Sequence, residues 1–160
     1  MAERGTPESR RLTMTGTFPA LTFTVCGHTY AISIVDVVEV AAMVETATIA
    51  DDTDPILHGV VIRRGEPMML LDLRHLFYCA DAPVTLETLF VVVQSNSDKE
   101  PVGFLVDQVQ GVVYLKQDDV RPVEGGRGYI RGIVAHQQVL IQWLDVNAIT
   151  AHALPGSLEM

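Results

Sequence analysis

Residues Gly59–Phe77 read GVVIRRGEPMMLLDLRHLF, and the reading of this stretch decides the fold. A β-branched run, Val60–Ile62, stops at Arg63, Arg64, Gly65 and Glu66, and an apolar run resumes at Met68–Leu71. The pattern predicts a hairpin, with Gly65 taking the positive φ that a tight turn needs and the arginines keeping the tip in water. Asp72 then changes the period. Leu73, Leu76 and Phe77 follow at i, i+3 and i+4, which predicts Asp72 as the N-cap of one or two helical turns. As a cap alone, Asp72 is worth about 1 kcal/mol, the usual cost of replacing such a residue by alanine. Paired arginines on a rigid turn suit binding better than catalysis.

The same pattern occurs a second time. Gly59 and Asp72 are separated by 13 residues, as are Gly132 and Asp145, and Asp36 in the first half corresponds to Asp107 in the second. Val60, Val61, Leu71, Leu73 and Leu76 fall over Ile133, Val134, Leu144, Val146 and Ile149. Matches in this order indicate a duplication of about 70 residues per copy. Leu21, Phe23 and Val25 alternate with threonines, and Tyr30, Ile32 and Ile34 resume after Cys26-Gly27-His28, which predicts a hairpin; Val37–Val44 follows as a third strand, with helix as the rival because Val37-Val38 breaks strict alternation. Leu89–Gln94, Val102–Val106, Val109–Leu115, Tyr129–Ala135 and Val139–Leu144 read as further strands, with Gln117–Gly128 as a loop. Short strands at this spacing predict an all-β chain of small barrels, which leave few exposed edges. The expected division is a disordered tail over 1–18, a first barrel over 19–78, a connection over 79–88, a second barrel over 89–151 and a frayed end over 152–160.

Composition narrows the function. A net charge of −9 disfavours nucleic acid and anionic membrane, both of which need a basic face. No stretch approaches the roughly 20 apolar residues of a membrane span, and the N-terminus lacks the apolar run of a secretory signal. The expected location is the cytoplasm. Cys26 and Cys79 stand in no metal-ligand spacing and are expected to be reduced. His28, His58, His136 and His152 are scattered, and the acidic loop around Asp51, Asp52 and Asp54 lacks the glycine and distal glutamate of a calcium loop, so neither a metal nor a cofactor is expected. Gly125-Gly126-Arg127-Gly128 precedes a strand, whereas a phosphate cradle leads into a helix. Asp72, His75 and Cys79 could share one helical face, yet Asp72 is already a cap and Asp145 has no matching histidine. Catalysis is not expected. Trp143 is expected to be largely buried within its strand.

Leu57–Phe77, the segment Phe23–Val40 with Gly27, Tyr30, Ala31 and Glu39, and Gly103–Val112 with Val106-Asp107-Gln108-Val109 together resemble the CheW family over residues 18–150. The resemblance implies two five-stranded SH3-like β-barrels about a pseudo-twofold axis. It also implies a non-catalytic adaptor of a two-component chemosensory pathway, joining the cytoplasmic tip of a methyl-accepting chemoreceptor to the regulatory domain of a CheA-like histidine kinase. Carried onto this sequence, the receptor side comprises Val37, Glu39, Gly59, Ile62 and Arg64, and the kinase side Val102, Phe104, Val112 and Val113. Association with membrane receptor arrays then runs through protein contacts, without insertion. Met69 stands where the family usually has proline, with Pro67 two residues earlier. The alternatives are a generic SH3-like peptide-binding module outside a receptor array, or an enzyme using Asp72, His75 and Cys79.

Overall fold

The computed structural model of the protein describes residues 16–43, 56–77, 85, 87–94, 100–124 and 128–153, and within them the strands fall into two sheets. In chain order the elements are β1 (Thr17–Val25), β2 (His28–Ser33), β3 (Val37–Ala42), β4 (Leu57–Arg63), β5 (Glu66–Asp72), α1 (Leu73–Leu76), β6 (Leu89–Val93), β7 (Val102–Val106), β8 (Gln108–Lys116), β9 (Arg121–Pro122), β10 (Ile130–His136), β11 (Val139–Leu144) and α2 (Val146–Ala153). One sheet has the order β8-β1-β2-β11-β10-β9, the other β3-β6-β7-β5-β4, and each forms an SH3-like unit. β1 begins at Thr17, so the expected tail stops short of residue 18, and α2 carries regular backbone through Ala153, beyond the expected end at 151. A 3₁₀ turn at Gln117–Asp119 and the short strand β9 occupy part of the expected Gln117–Gly128 loop.

The two copies do not close on themselves. The expected barrels over 19–78 and 89–151 are corrected by the pairing: β2 lies parallel to β11, and β5 lies parallel to β7. Hairpin β1–β2 therefore belongs with β8–β11, and hairpin β6–β7 with β3–β5. The chain changes sheet at two points related by the repeat. After β2 a 3₁₀ turn at Ile34–Asp36 leads into β3, and after β7 Asp107 leads into β8. Both crossings are pinned by hydrogen bonds: Gln94 N donates to Asp36 O at 2.9 Å, Asp107 N to Thr24 O at 2.9 Å, and Cys26 N to the Asp107 carboxylate at 2.7 Å. Burial, foremost, raises the Asp36 carboxyl above its ordinary pKa, partly offset by the nearby Arg131.

Alternation within β1 explains how one strand serves two cores. Phe18 and Ala20 point into their own barrel beside Leu115, Val134 and Ile141. Leu21, Phe23 and Val25 point the other way, into a larger core shared with Leu71, Val91 and Phe104 of the second sheet and with Val146 and Ile149 of α2. The rings of Tyr30 and Phe77 stack across this boundary at 4.6 Å. Exchange of the hairpins is what brings these apolar faces together. Burial of this kind stabilises by about 25 cal/mol per Å² of apolar area.

Asp72 caps α1 as expected, accepting from Arg74 N at 3.0 Å, and Asp145 caps α2 by accepting from Ala148 N at 3.1 Å. A partner invisible to the capping argument also appears. The Asp72 carboxylate takes two further bonds from the Arg74 guanidinium, from Nε and from Nη2, each at 3.0 Å. Both side chains are over nine-tenths buried. Loss of Asp72 would thus remove both the cap and the bidentate carboxylate from a buried guanidinium, a larger penalty than a lost cap. Asp72→Ala is expected to cost about 3–5 kcal/mol in urea unfolding, and Asp145→Ala about 1 kcal/mol. Equal losses would reduce the Asp72 contribution to capping.

Candidate functional site

The hairpin β4–β5 is built as the opening stretch demands. Arg63 pairs with Glu66, which leaves Arg64-Gly65 as a two-residue loop. Both loop residues are left-handed, with φ of 54° and 81°, the type I′ geometry whose twist matches the strands it joins. Gly65 adopts it freely, whereas Arg64 is a non-glycine residue held there by the hairpin. Ile62 pairs with Pro67 and Val60 with Met69, so the unusual Pro67 and Met69 leave the register regular up to the tip. In the second copy, Gln137 and Gln138 take the same turn at φ 51° and 69°, without glycine or charge.

β3 and β4 form the two edges of their sheet, and side chains join them. Arg63 Nε donates to Glu39 at 2.6 Å, and Arg64 Nη2 reaches the other carboxylate oxygen at 3.4 Å. The Arg64 side chain remains 71% exposed, against 17% for Arg63. One arginine thus braces the strands while the other presents its planar donors to solvent. On the other face of the same two strands, Ile62 is 67% exposed and Val38 and Val40 project outward, alternating with Glu39. Val35, on the crossing before β3, is exposed as well. The result is a basic tip on edge strands that also expose apolar side chains, with a backbone fixed by the sheet.

The structure brings Glu39 and Arg64 of the expected receptor side into contact and leaves Ile62 open. Val37 is half-buried against the core between the barrels, and Gly59 is buried, so these two shape the surface from beneath. Val38 and Val40 are additions, for which the alternation Val38-Glu39-Val40 was the sequence signal, and Arg63, expected in water beside Arg64, is instead turned onto Glu39. On the expected kinase side, Val102 and Phe104 lie in the core and have no side chain to offer a partner, a correction that follows from β7 being central in its sheet. Val112 is exposed and Val113 half-buried on β8.

Chemistry at Asp72, His75 and Cys79 finds no support in this geometry. The Asp72 carboxylate is occupied by Arg74, and Cys79 lies outside the described residues, as does the acidic loop at 46–55. Cys26 is held in a disulfide, which corrects the expectation of a reduced thiol there; cysteine spacing alone carried no sign of it. Trp143 is half-buried, packed on Phe18 at 4.7 Å with the Arg131 guanidinium 5.0 Å from its ring centroid. No described helix is long and apolar enough to cross a membrane.

Residues 19–154 match the family model of the CheW-like domain. The chain belongs to this family. The chemotaxis protein CheW of Klebsiella aerogenes is 28% identical over 134 residues, covering 81% of this chain and 79% of that protein. Chemotaxis protein CheW of Bacillus subtilis is 26% identical over 134 residues, covering 81% and 84%. The crystal structure of the scaffolding protein TtCheW from Thermoanaerobacter tengcongensis superposes with a TM-score of 0.72 at 20% identity, covering 81% of this chain and 89% of the other, a likeness of fold. CheW-like domains are non-catalytic scaffolds of chemotaxis signalling, in keeping with a site made of an ion pair and exposed apolar side chains.

The hydrogen bond from Arg63, foremost, and the charges of Arg63 and Arg64 hold the Glu39 carboxyl below its ordinary pKa, against a smaller opposing effect of desolvation. A folded-state pKa below the unfolded one means that the ionised form favours the β3–β4 contact. That contribution is complete above the unfolded value and is lost as the pH falls through the folded one. In a carbon-detected NMR titration, Glu39 is expected to titrate below the ordinary glutamate value and to move back up in Arg63→Gln. A Glu39 midpoint unaffected by that substitution would contradict the bracing role of Arg63.

Proposed function

We propose that this CheW-like chain couples the cytoplasmic tip of a methyl-accepting chemoreceptor to the regulatory domain of a CheA-like histidine kinase, in the cytoplasm and without inserting into the membrane. The observation that carries this reading is the Glu39, Arg63 and Arg64 cluster on edge strands that also expose Val38, Val40 and Ile62. Apolar groups that lose water on docking supply most of the affinity, and a multidentate arginine fixes orientation. On this reading Val37 and Gly59 set the depth of the receptor-facing surface, while Val112 and Val113 on β8 serve the kinase. A scaffold needs no moving parts at such a site: paired strands hold it ready before the partner arrives, which lowers the ordering cost of binding.

The test is a calorimetric titration of the full chain with the receptor tip. Arg64→Glu is expected to retain the wild-type thermal midpoint and to weaken binding by roughly 1–3 kcal/mol, the range of a charged hot-spot residue. His75→Ala is expected to leave affinity unchanged. Unaltered affinity in Arg64→Glu would overturn the assignment of the receptor side to the β4–β5 tip.

A further inference from the structure

Each crossing between the sheets carries an aspartate, and at each an arginine lies within reach of that aspartate and of a helix cap from the other copy. At the β7–β8 crossing, Arg74 is bonded to the α1 cap Asp72 and feels the charge of Asp107. At the β2–β3 crossing, Arg131 Nε lies 3.8 Å from Oδ2 of the α2 cap Asp145, and Asp36 feels the charges of both. The duplication does not supply these arginines from one position. By the repeat, Arg74 corresponds to Asn147 and Arg131 to His58. Arg131 is the extra residue of a β-bulge between Ile130 and Gly132 in β10, a feature that re-aims a side chain out of strict alternation.

The two arginines are held with different firmness. The Arg74 side chain is 7% exposed and bonded twice to its carboxylate. The Arg131 side chain is 47% exposed, and its guanidinium also lies 5.0 Å from the ring centroid of Trp143. An ion pair that open to water gains little from one carboxylate alone. Asp36, by contrast, is half-buried and anchored through its carbonyl oxygen, which accepts from Gln94 N at 2.9 Å. Burial, foremost, raises the Asp36 carboxyl above its ordinary pKa; Arg131 opposes the rise and Asp145 adds to it. Among the described residues, β1 and β6 bring no ionisable side chain to this crossing, and Glu39 of β3 is engaged by Arg63.

We infer that Arg131 is a counter-ion shared between Asp36 and Asp145, and that it makes the β2–β3 crossing a proton-responsive joint, while the β7–β8 crossing is fixed by its buried pair. With Asp36 ionised, both carboxylates hold the guanidinium over Trp143. When Asp36 takes up a proton, Arg131 is left to Asp145 alone and shifts on the indole face. β3 begins at the next residue, so the change reaches the edge strand that carries Glu39. The inference stands without the receptor assignment of that strand. Two readouts on the full chain test it: a carbon-detected NMR titration of the Asp36 carboxyl, and the emission of Trp143, the one tryptophan in the sequence. Asp36 is expected to titrate above the ordinary aspartate value, with a step in Trp143 emission at the same midpoint that Asp36→Asn abolishes. Arg131→Gln is expected to raise the Asp36 midpoint further, and Arg131→Lys, which keeps the charge, to hold it near that of the unaltered chain. An Asp36 midpoint indifferent to Arg131→Gln would overturn the inference, as would Trp143 emission with no step at that midpoint or a step that survives in Asp36→Asn.

Discussion

The parallel contacts of β2 with β11 and of β5 with β7 tie each half of a duplicated chain to the other, and every surface of interest depends on them. Each contact is short, three residue pairs long, yet it decides on which sheet an entire hairpin lies. The exchange turns what could be two separable barrels into one interlocked body, since the core that includes Phe23, Leu71 and Phe104 draws on both sheets. An interlocked body has little freedom for relative movement of its halves. Strand edges and hairpin tips on such a body keep fixed spacings, which is the physical requirement for a scaffold that must present two partners to each other.

Two arginine–carboxylate pairs show how environment changes the meaning of one chemical motif. Asp72 and Arg74 are buried together and bonded twice, so the pair serves the fold. Glu39 with Arg63 and Arg64 lies at the surface, where water screens the attraction and the net stabilisation is small. The surface arrangement orients Arg64 instead. That distinction separates a structural aspartate from the catalytic one that Asp72, His75 and Cys79 could have suggested.

Strand positions, the β4–β5 turn, both helix caps and the family were legible in the sequence because each rests on local pattern: alternation, a glycine in a two-residue loop, an aspartate at a change of period. The exchange of hairpins was not legible. Two copies with matching apolar positions offer β11 and β5 nearly equivalent partners, so pattern alone cannot say whether a hairpin pairs within its copy or across. Burial of Val102 and Phe104 follows from the same blind spot, since β7 becomes central only once the exchange places it between β6 and β5. In the candidate site, Glu39 and Arg64 came from resemblance, whereas Arg63 as the brace required the closure of β3 against β4 in space. The disulfide at Cys26 and the guanidinium cage on Asp72 are likewise contacts between side chains, for which spacing carries no signal.

The proposed function requires two partners to be held at once on surfaces that do not overlap, with the β3–β4 edge proposed for the receptor and β8 for the kinase. The most direct measurement is a calorimetric titration of the receptor tip into the chain already saturated with the regulatory domain of a CheA-like kinase. Saturable receptor binding with an affinity close to that for the chain alone is expected, with a ternary complex on sedimentation. Displacement of one partner by the other, or no binding of the kinase domain at all, would contradict it.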